Sequence, residues 1–171
     1  MNDRVMDAIN EQIKWELYSA YLYLSMSSWF ESIGLKGFAN WERIQAMEER
    51  DHAMKFYTYV LSRGGRVIFQ SIDAPPSEWE SPLAAYEFQL SHEKTVTARI
   101  ENLMNIAIEE KDHASASMLQ WFINEQVEEE ENAKSIVDQL KLVSGETGKG
   151  LLYMLDKDLA ARVYHPPVVQ E

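Results

Sequence analysis

The stretch Glu48-Glu49-Arg50-Asp51-His52 decides the fold, because it places ionisable side chains inside a hydrophobic helical stripe. Residues seven or eleven positions apart lie within about 20° of each other on an α-helix. Glu49 lies eleven positions after Phe38 and seven before Phe56, so it points the same way as both. His52 follows Glu49 by three positions and shares its face. A buried carboxylate is costly unless a counter-charge or a metal ion compensates it.

Three further glutamates occupy the same kind of position in three other candidate helices. Each follows an apolar residue by seven positions, in the pairs Ile9 and Glu16, Tyr86 and Glu93, and Phe122 and Glu129. A solvated acidic face would place the acids opposite the apolar residues instead. Four carboxylates and one histidine converging in a bundle core therefore predict a metal site. Oxygen ligands with a single imidazole favour iron or manganese over copper or softer metals.

The composition excludes several classes of protein. The chain has 171 residues, of which 46% are hydrophobic, and we expect one domain spanning 1–171. The net charge of −12 argues against nucleic acid and anionic membrane surfaces as partners. The absence of cysteine excludes disulfides, iron–sulfur clusters and thiolate zinc sites. Neither a long apolar run nor a signal-peptide pattern is present, so we expect a cytoplasmic protein.

The periodicity predicts an all-α fold: a four-helix bundle over about 2–143, a short fifth helix and an extended tail. The predicted helices run from about 2 to 32, from after the break at 34–37 to about 62, from Pro82 to about 110, from after the break at 111–113 to about 143, and from 151 to 162; the tail covers 163–171. The connection from Arg66 to Ser81 is unusually long for antiparallel neighbours. It predicts an overhand crossover, so that the second and third helices point the same way.

Glu49 and His52 form an E-x-x-H motif, whose two side chains can reach one ion. In carboxylate di-iron bundles, two helices each give a single Glu and the other two each give E-x-x-H. Glu16 and Glu93 fill the single positions here. The fourth helix departs from the pattern, because Glu129 is followed three positions later by Asn132.

Together with Trp15-Glu16-Leu17-Tyr18-Ser19 and Asn124-Glu125-Gln126-Val127-Glu128-Glu129, these motifs make the chain resemble a non-haem prokaryotic ferritin over nearly its whole length. The resemblance implies a ferritin-like bundle with an iron-storage role. It implies a ferroxidase centre that oxidises Fe(II) with O2 or H2O2. It also implies a homo-oligomer, a hollow shell of 24 subunits that stores ferric mineral.

The same resemblance assigns the iron ligands. The first iron site resembles Glu16, Glu49 and His52, and the second resembles Glu49, Glu93 and Glu129, with Gln126 close by. A third site resembles Glu48, Glu125, Glu128 and Glu129. Tyr23, seven positions after Glu16, resembles the family tyrosine beside the iron pair, and it also fits a core tyrosine with a satisfied hydroxyl.

Some family features are not expected here. Haem-binding ferritins carry a methionine near the bridging glutamate, whereas Arg50 follows Glu49, so we expect no haem. The start of the fourth helix, Ala114 to Leu119, carries no acid. This argues against pores on the threefold axes of the shell as the route by which iron enters. We interpret His92, His113 and His165 as surface residues. Leu151, Leu152, Leu155 and Leu159 form an apolar face that we expect a neighbouring subunit to cover.

Two other functions fit the bundle. One is a rubrerythrin-like di-iron peroxidase or oxidase without storage, against which Asn132 and the lack of cysteine count. The other is a structural bundle with incidental acids, which leaves the four in-phase carboxylates unexplained.

Overall fold

A computed structural model describes residues 2–143 and 148–167. Over these residues the chain forms five α-helices and no strand: α1 (Asp3–Ser32), α2 (Lys36–Ser62), α3 (Pro82–Glu109), α4 (His113–Leu142) and α5 (Gly148–Leu159). This confirms the expected all-α fold. We expect the glycines at 145, 148 and 150 to end the fourth helix; Gly145, like tail residues 168–171, lies outside the described residues. In the described part of the chain, no helix combines the length and apolarity needed to cross a membrane.

Local sequence sets the helix ends. The side chain of Asn2 accepts a hydrogen bond from the Arg4 amide at the start of α1, and Ser81 and Asp112 cap α3 and α4 in the same way. Such caps satisfy backbone N–H groups that have no partner within the helix. Gly34 and Gly64 follow α1 and α2 with φ of 84° and 73°, which glycine adopts without strain.

The connection between α2 and α3 runs the length of α1. Its early part is held by Asn10, which donates to the Arg66 carbonyl at 3.3 Å and accepts from the Ile68 amide at 3.0 Å. Its later part is held by Ser25, which donates to the Pro76 carbonyl at 2.6 Å. Because the connection crosses from one end of α1 towards the other, α2 and α3 run parallel. The predicted overhand crossover is therefore confirmed.

Two apolar clusters fill the bundle and leave a polar layer between them. One cluster lies towards the α1–α2 turn and includes Phe30, Phe38 and Tyr86. The other lies towards the opposite end and includes Phe56 and Phe122. The in-phase glutamates lie on their helices between residues of the two clusters. The helical stripe thus continues through the polar layer without changing face.

The fifth helix packs against its own subunit more closely than we predicted. Asp156 accepts hydrogen bonds from the amides of Gly37 and Phe38, at 2.7 and 3.0 Å, and so caps α2. A Cβ on Gly37 would lie 1.6 Å from the Asp156 carbonyl oxygen, so this approach requires glycine. Leu155 and Leu159 are buried in the first apolar cluster. The prediction that a neighbour covers these two leucines is therefore wrong.

The bounds of α5 also differ from those predicted, since it begins at Gly148 and ends at Leu159 rather than spanning 151 to 162. We interpreted Gly148 as a breaker, but its Cα lies against the Val143 carbonyl, where a Cβ would come within 1.6 Å. Glycine is needed there for close approach rather than to end a helix. After Leu159 the chain turns back along α2.

Candidate metal centre

The five residues predicted for the iron pair lie together in the polar layer, one or two from each bundle helix. We call them the carboxylate cluster: Glu16 from α1, Glu49 and His52 from α2, Glu93 from α3 and Glu129 from α4, with exposed fractions between 1% and 6%. The hydrophobic stripe explains this burial, because each acid continues the face that packs inward. Asn132, the departure from a second E-x-x-H, is exposed and lies outside the cluster.

Glu16, Glu49 and His52 form the most compact group. Nδ1 of His52 lies 3.6 Å from Glu49 Oε2 and 3.9 Å from Glu16 Oε2. One ligand atom from each residue lies within 4.8 Å of the other two. Ligand atoms about 2.1 Å from one ion are separated by roughly 3 to 3.4 Å. A small inward movement of these side chains would therefore let them hold one cation.

Neutral side chains donate hydrogen bonds to the carboxylates of the cluster. Gln12 donates to Glu16 at 2.8 Å. Glu93 accepts a hydrogen bond from the buried Tyr23 hydroxyl and a 3.2 Å bond from Gln126. These amide and hydroxyl donors orient the oxygens but bring no positive charge of their own. The oxygens are therefore held in place for a cation.

Glu129 has a donor of the same kind, since the buried amide of Gln45 donates to its Oε2. It also approaches a second group, in which ligand atoms of His52, Glu125 and Glu129 lie within 4.8 Å of one another. Glu125 Oε1 lies 3.7 Å from Nε2 of His52. The two ring nitrogens of His52 thus face different sets of carboxylates, one inside the bundle and one at its edge.

Of the residues predicted for the third site, Glu48 and Glu125 lie at this edge, whereas Glu129 belongs to the cluster. Glu125 is half-buried and Glu128 is exposed. Glu48 is half-buried and forms an ion pair with Arg162, with Nη2 of Arg162 at 2.5 Å from Glu48 Oε2. An open cleft of about 950 Å³ reaches this edge, and Glu48, His52 and Glu125 line it. The edge is therefore open to solvent, whereas the cluster behind it is enclosed.

Burial controls the protonation of the cluster. It raises the pKa of Glu16 to about 8, with the charge of Glu49 adding to the effect. It raises the pKa of Glu93 to about 7, against the hydrogen bonds that Glu93 accepts. For His52, burial opposes the charged form, but the facing carboxylates of Glu125 and Glu49 raise its pKa well above the usual range. The metal-free cluster therefore holds protons at neutral pH, which a bound cation would displace.

Sequence reasoning missed several neighbours of the cluster. Gln12 lies four positions before Glu16 and Gln45 four before Glu49, so each glutamine shares a helix face with an acid. This spacing is a signal that could have found them. Arg162 follows a separate short helix, and no pattern in the sequence connects it to Glu48.

The prediction of a surface position is wrong for one histidine. His92 is half-buried, and its Nε2 lies 2.8 Å from the Ser19 hydroxyl. Burial lowers the pKa of His92 to about 4, with a smaller effect from Arg99, so its ring is neutral at physiological pH. It packs edge-on to Tyr23 with ring centroids 6.0 Å apart, and so supports the wall beside the cluster. Its position next to Glu93 in sequence, at the stripe edge, made this burial hard to predict.

Comparisons with known proteins agree with this architecture. Residues 6–143 match the ferritin-like domain family. The chain is 39% identical to a bacterial non-heme ferritin of Staphylococcus saprophyticus, over 96% of this chain and 97% of that protein. It is 40% identical to one from Bacteroides fragilis, over 95% and 99% of the two chains.

Solved structures of other proteins also match this architecture. An open-pore ferritin from the hyperthermophilic archaeon Archaeoglobus fulgidus superposes with a TM-score of 0.93 at 51% identity, over 95% of this chain and 99% of that one. A closed form of that ferritin, engineered by site-directed mutagenesis, superposes with a TM-score of 0.94 at 50% identity, over 96% and 99%. With this coverage in both sequence and structure, the chain belongs to the ferritin family, among the non-haem prokaryotic ferritins.

Proposed function

We propose that this protein stores iron, and that it oxidises Fe(II) at a di-iron centre inside each subunit before the ferric product is stored in a hollow shell. The observation that carries the proposal is the carboxylate cluster: four buried glutamates and His52, with neutral donors around them. Such a cluster is unfavourable without cations, because its members repel one another in a low-dielectric interior. Its relatives include proteins named bacterial non-heme ferritin.

In this proposal Glu49 bridges two irons. Glu16 and His52 complete the first site. Glu93 and Glu129 complete the second, with Gln126 beside it. Tyr23 stands next to the pair and holds Glu93 through its hydroxyl. Carboxylates stabilise Fe(III) more than Fe(II), since their negative charge interacts more strongly with the higher ionic charge.

Two irons acting together supply the two electrons that O2 takes up when it becomes H2O2. Two Fe(II) ions give one electron each, and O2 takes two electrons and two protons to become H2O2; H2O2 can serve as an oxidant in turn. Protons held by the metal-free cluster leave when iron binds, because a carboxylate must be deprotonated to act as a ligand. Glu16 and Glu93, whose pKa values are raised, would release such protons near neutral pH.

We further propose assembly into a shell of 24 subunits. Apolar side chains remain exposed on the crossover and on α5: Ile68 and Phe69 on the first, and Leu151, Tyr153 and Met154 on the second. Large apolar side chains exposed in this way suit contacts between subunits. The structural relatives are described as ferritins with an open pore or in a closed form, which suits a shell.

The test combines iron content with native mass. Metal-free protein is loaded anaerobically with Fe(II), exposed to O2, freed of unbound iron by gel filtration, and analysed for iron and for mass by light scattering. We expect iron well above two per subunit in a particle of about 475 kDa, which is 24 times the 19.8 kDa chain.

The alternatives give different readings in the same experiment. Two irons per subunit with no further uptake would indicate a di-iron peroxidase or oxidase without storage. No retained iron would indicate a structural bundle. A monomer at every concentration, salt level and metal load would end the shell proposal.

A further inference from the structure

The chain after α5 returns along α2, and residues 160–167 pass beside the proposed third iron site. We call residues 160–167 the C-terminal strap. Asn40 on α2 donates to the strap carbonyls of Ala160 and Arg162 at 3.5 and 3.1 Å. Further on, the Tyr164 hydroxyl donates to Asp51, and His165 lines the cleft at the bundle edge. The strap therefore follows α2 from near its start to the level of the cluster.

Arg162 is the residue of the strap that reaches inward. Nη2 lies 2.5 Å from Glu48 Oε2, and Nη1 donates to Gln45 Oε1 at 2.9 Å. The guanidinium carbon lies 4.0 Å from the centre of the Trp41 ring. The Arg162 side chain is only 17% exposed. An ion pair this enclosed, with a second hydrogen bond and a stacked ring, is held more firmly than a typical surface pair.

Arg162 also fixes an amide that contacts the cluster. The Gln45 oxygen accepts from Arg162, while the Gln45 nitrogen donates to Glu129. A reversed amide would place its NH2 group against the guanidinium and its oxygen against the carboxylate. Both contacts would be repulsive. The cation on the strap thereby determines which end of Gln45 faces Glu129.

We propose that Arg162 is a positioning residue for the third iron site. Its guanidinium pairs with the Glu48 carboxylate until a divalent cation displaces the guanidinium. The inference rests on the proposed function, since it takes Glu48 as a ligand. A cation that takes Glu48 Oε2 as a ligand must displace Nη2 of Arg162 from that oxygen. The third site is therefore weaker than the enclosed pair and fills after it. Throughout, the second guanidinium nitrogen keeps Gln45 oriented towards Glu129.

The test measures metal binding rather than activity. Full-length assembled protein is titrated with Zn(II), which does not change oxidation state, in a calorimeter, and anomalous X-ray scattering locates the bound ions. Arg162→Met removes the charge but keeps an apolar chain over Trp41. We expect it to bind the third Zn(II) on the order of ten-fold more tightly, as fits the loss of one charged hydrogen bond. The first two sites should change by less than about two-fold.

Three control variants separate charge from anchoring. Arg162→Lys keeps the positive charge and should bind the third ion about as the natural protein does. Lys36→Met removes an exposed positive charge from α2 that contacts neither the strap nor Glu48, and should change nothing. Tyr164→Phe removes a strap hydrogen bond without touching Glu48, and should leave the third site unchanged.

The outcomes distinguish this inference from the proposed function. If Zn(II) occupies the Glu48 site equally in the natural protein and in Arg162→Met, the role of Arg162 is refuted while the third site stands. If Tyr164→Phe tightens the site as much as Arg162→Met, the strap acts by its docking and the inference also fails. If no Zn(II) binds at Glu16, Glu49 and His52 in any variant, the proposed function itself is wrong.

Discussion

Glu16 and Glu42 are both buried, and burial raises the pKa of each to about 8, but they differ in their hydrogen bonds. Glu16 accepts a hydrogen bond from Gln12 and lies beside Glu49 and His52. Glu42 lies seven positions before Glu49 on the same stripe, at the aromatic end of the bundle. Within the described residues, neither of its oxygens makes a hydrogen bond, although the nearby Tyr86 hydroxyl and Arg162 partly offset the rise in pKa.

The difference shows that a raised pKa reports burial, whereas oriented donors and converging ligands mark a site. In the carboxylate cluster, neutral amides and hydroxyls hold the oxygens in orientations that suit a cation. Around Glu42, the Tyr86 hydroxyl and the Gln89 oxygen also lack partners among the described residues. Glu42 is therefore a buried acid beside the Tyr86 hydroxyl that is protonated at neutral pH and lies outside the group of converging ligands.

The largest expected effect comes from removing the bridging ligand. Glu49→Ala takes a ligand from both proposed irons, so we expect the initial rate of Fe(II) oxidation to fall more than roughly 100-fold. Stopped-flow absorbance and oxygen uptake measure this rate. Glu42→Gln, which changes an equally buried acid outside the cluster, serves as the matched control and should keep the fast phase. Equal rates in Glu49→Ala and the natural protein would show that the cluster is not the oxidation site.

Metal binding should stabilise the cluster and depend on pH. A cation at 100 times its dissociation constant adds about 2.7 kcal/mol per site to the free energy of unfolding. Protons compete for Glu16 and Glu93, whose pKa values are about 8 and 7, so Zn(II) should raise the melting temperature more at pH 8 than at pH 6. Calorimetry of the natural protein and of Glu49→Ala checks this. A melting temperature indifferent to Zn(II) at both pH values would contradict it.

Glu42 should make the metal-free protein less stable as pH rises. Its folded pKa of about 8 lies above the usual 4.5, so the folded state keeps a proton that the unfolded chain loses between these values. The unfolding free energy therefore falls from about pH 4.5 to pH 8. Glu42→Gln removes this loss and should add on the order of 2–4 kcal/mol at pH 8, but little at pH 5. Denaturant unfolding at the two pH values, compared with the natural protein, measures the difference, and a gain equal at both would refute the assignment.

Helical periodicity predicted the four bundle helices and the cluster together, because one inward face carries both apolar and acidic residues. The same phase argument did not separate Glu49 from Glu42, since residues seven apart share that face. What separates them is contact between helices: acids of α1, α3 and α4 lie around Glu49, whereas none of the described acids is a ligand partner of Glu42. The position of a residue on the hydrophobic stripe of its helix predicts whether the residue is buried. Only the convergence of side chains from several helices predicts a metal site.

The spacing of glutamines in the sequence is a second signal of the carboxylate cluster. A buried glutamine lies three or four positions before each cluster acid: Gln12, Gln45, Gln89 and Gln126. Three of these donate to cluster carboxylates, twice across to another helix. By contrast, the docking of α5 and the position of Arg162 depend on contacts between residues far apart in sequence, such as Asp156 with Gly37 and Arg162 with Glu48. No local pattern encodes such contacts, so the sequence could not predict them.

The smallest expected effect lies at the open edge of the cluster. Glu128 is exposed, in contrast to the buried glutamates, so water can replace it at low cost. We expect Glu128→Ala to keep the fast first phase within about two-fold, and to change the amount of O2 consumed per iron once the third site is reached. Rapid mixing with an oxygen electrode measures both quantities, and Glu131→Ala, an exposed acid on the same helix, is the control. If Glu128→Ala lost the fast phase as fully as Glu49→Ala, Glu128 would belong to the primary pair. The boundary between enclosed ligands and solvated edge would then have to be redrawn, because exposure would no longer distinguish the residues that start the reaction from those that follow it.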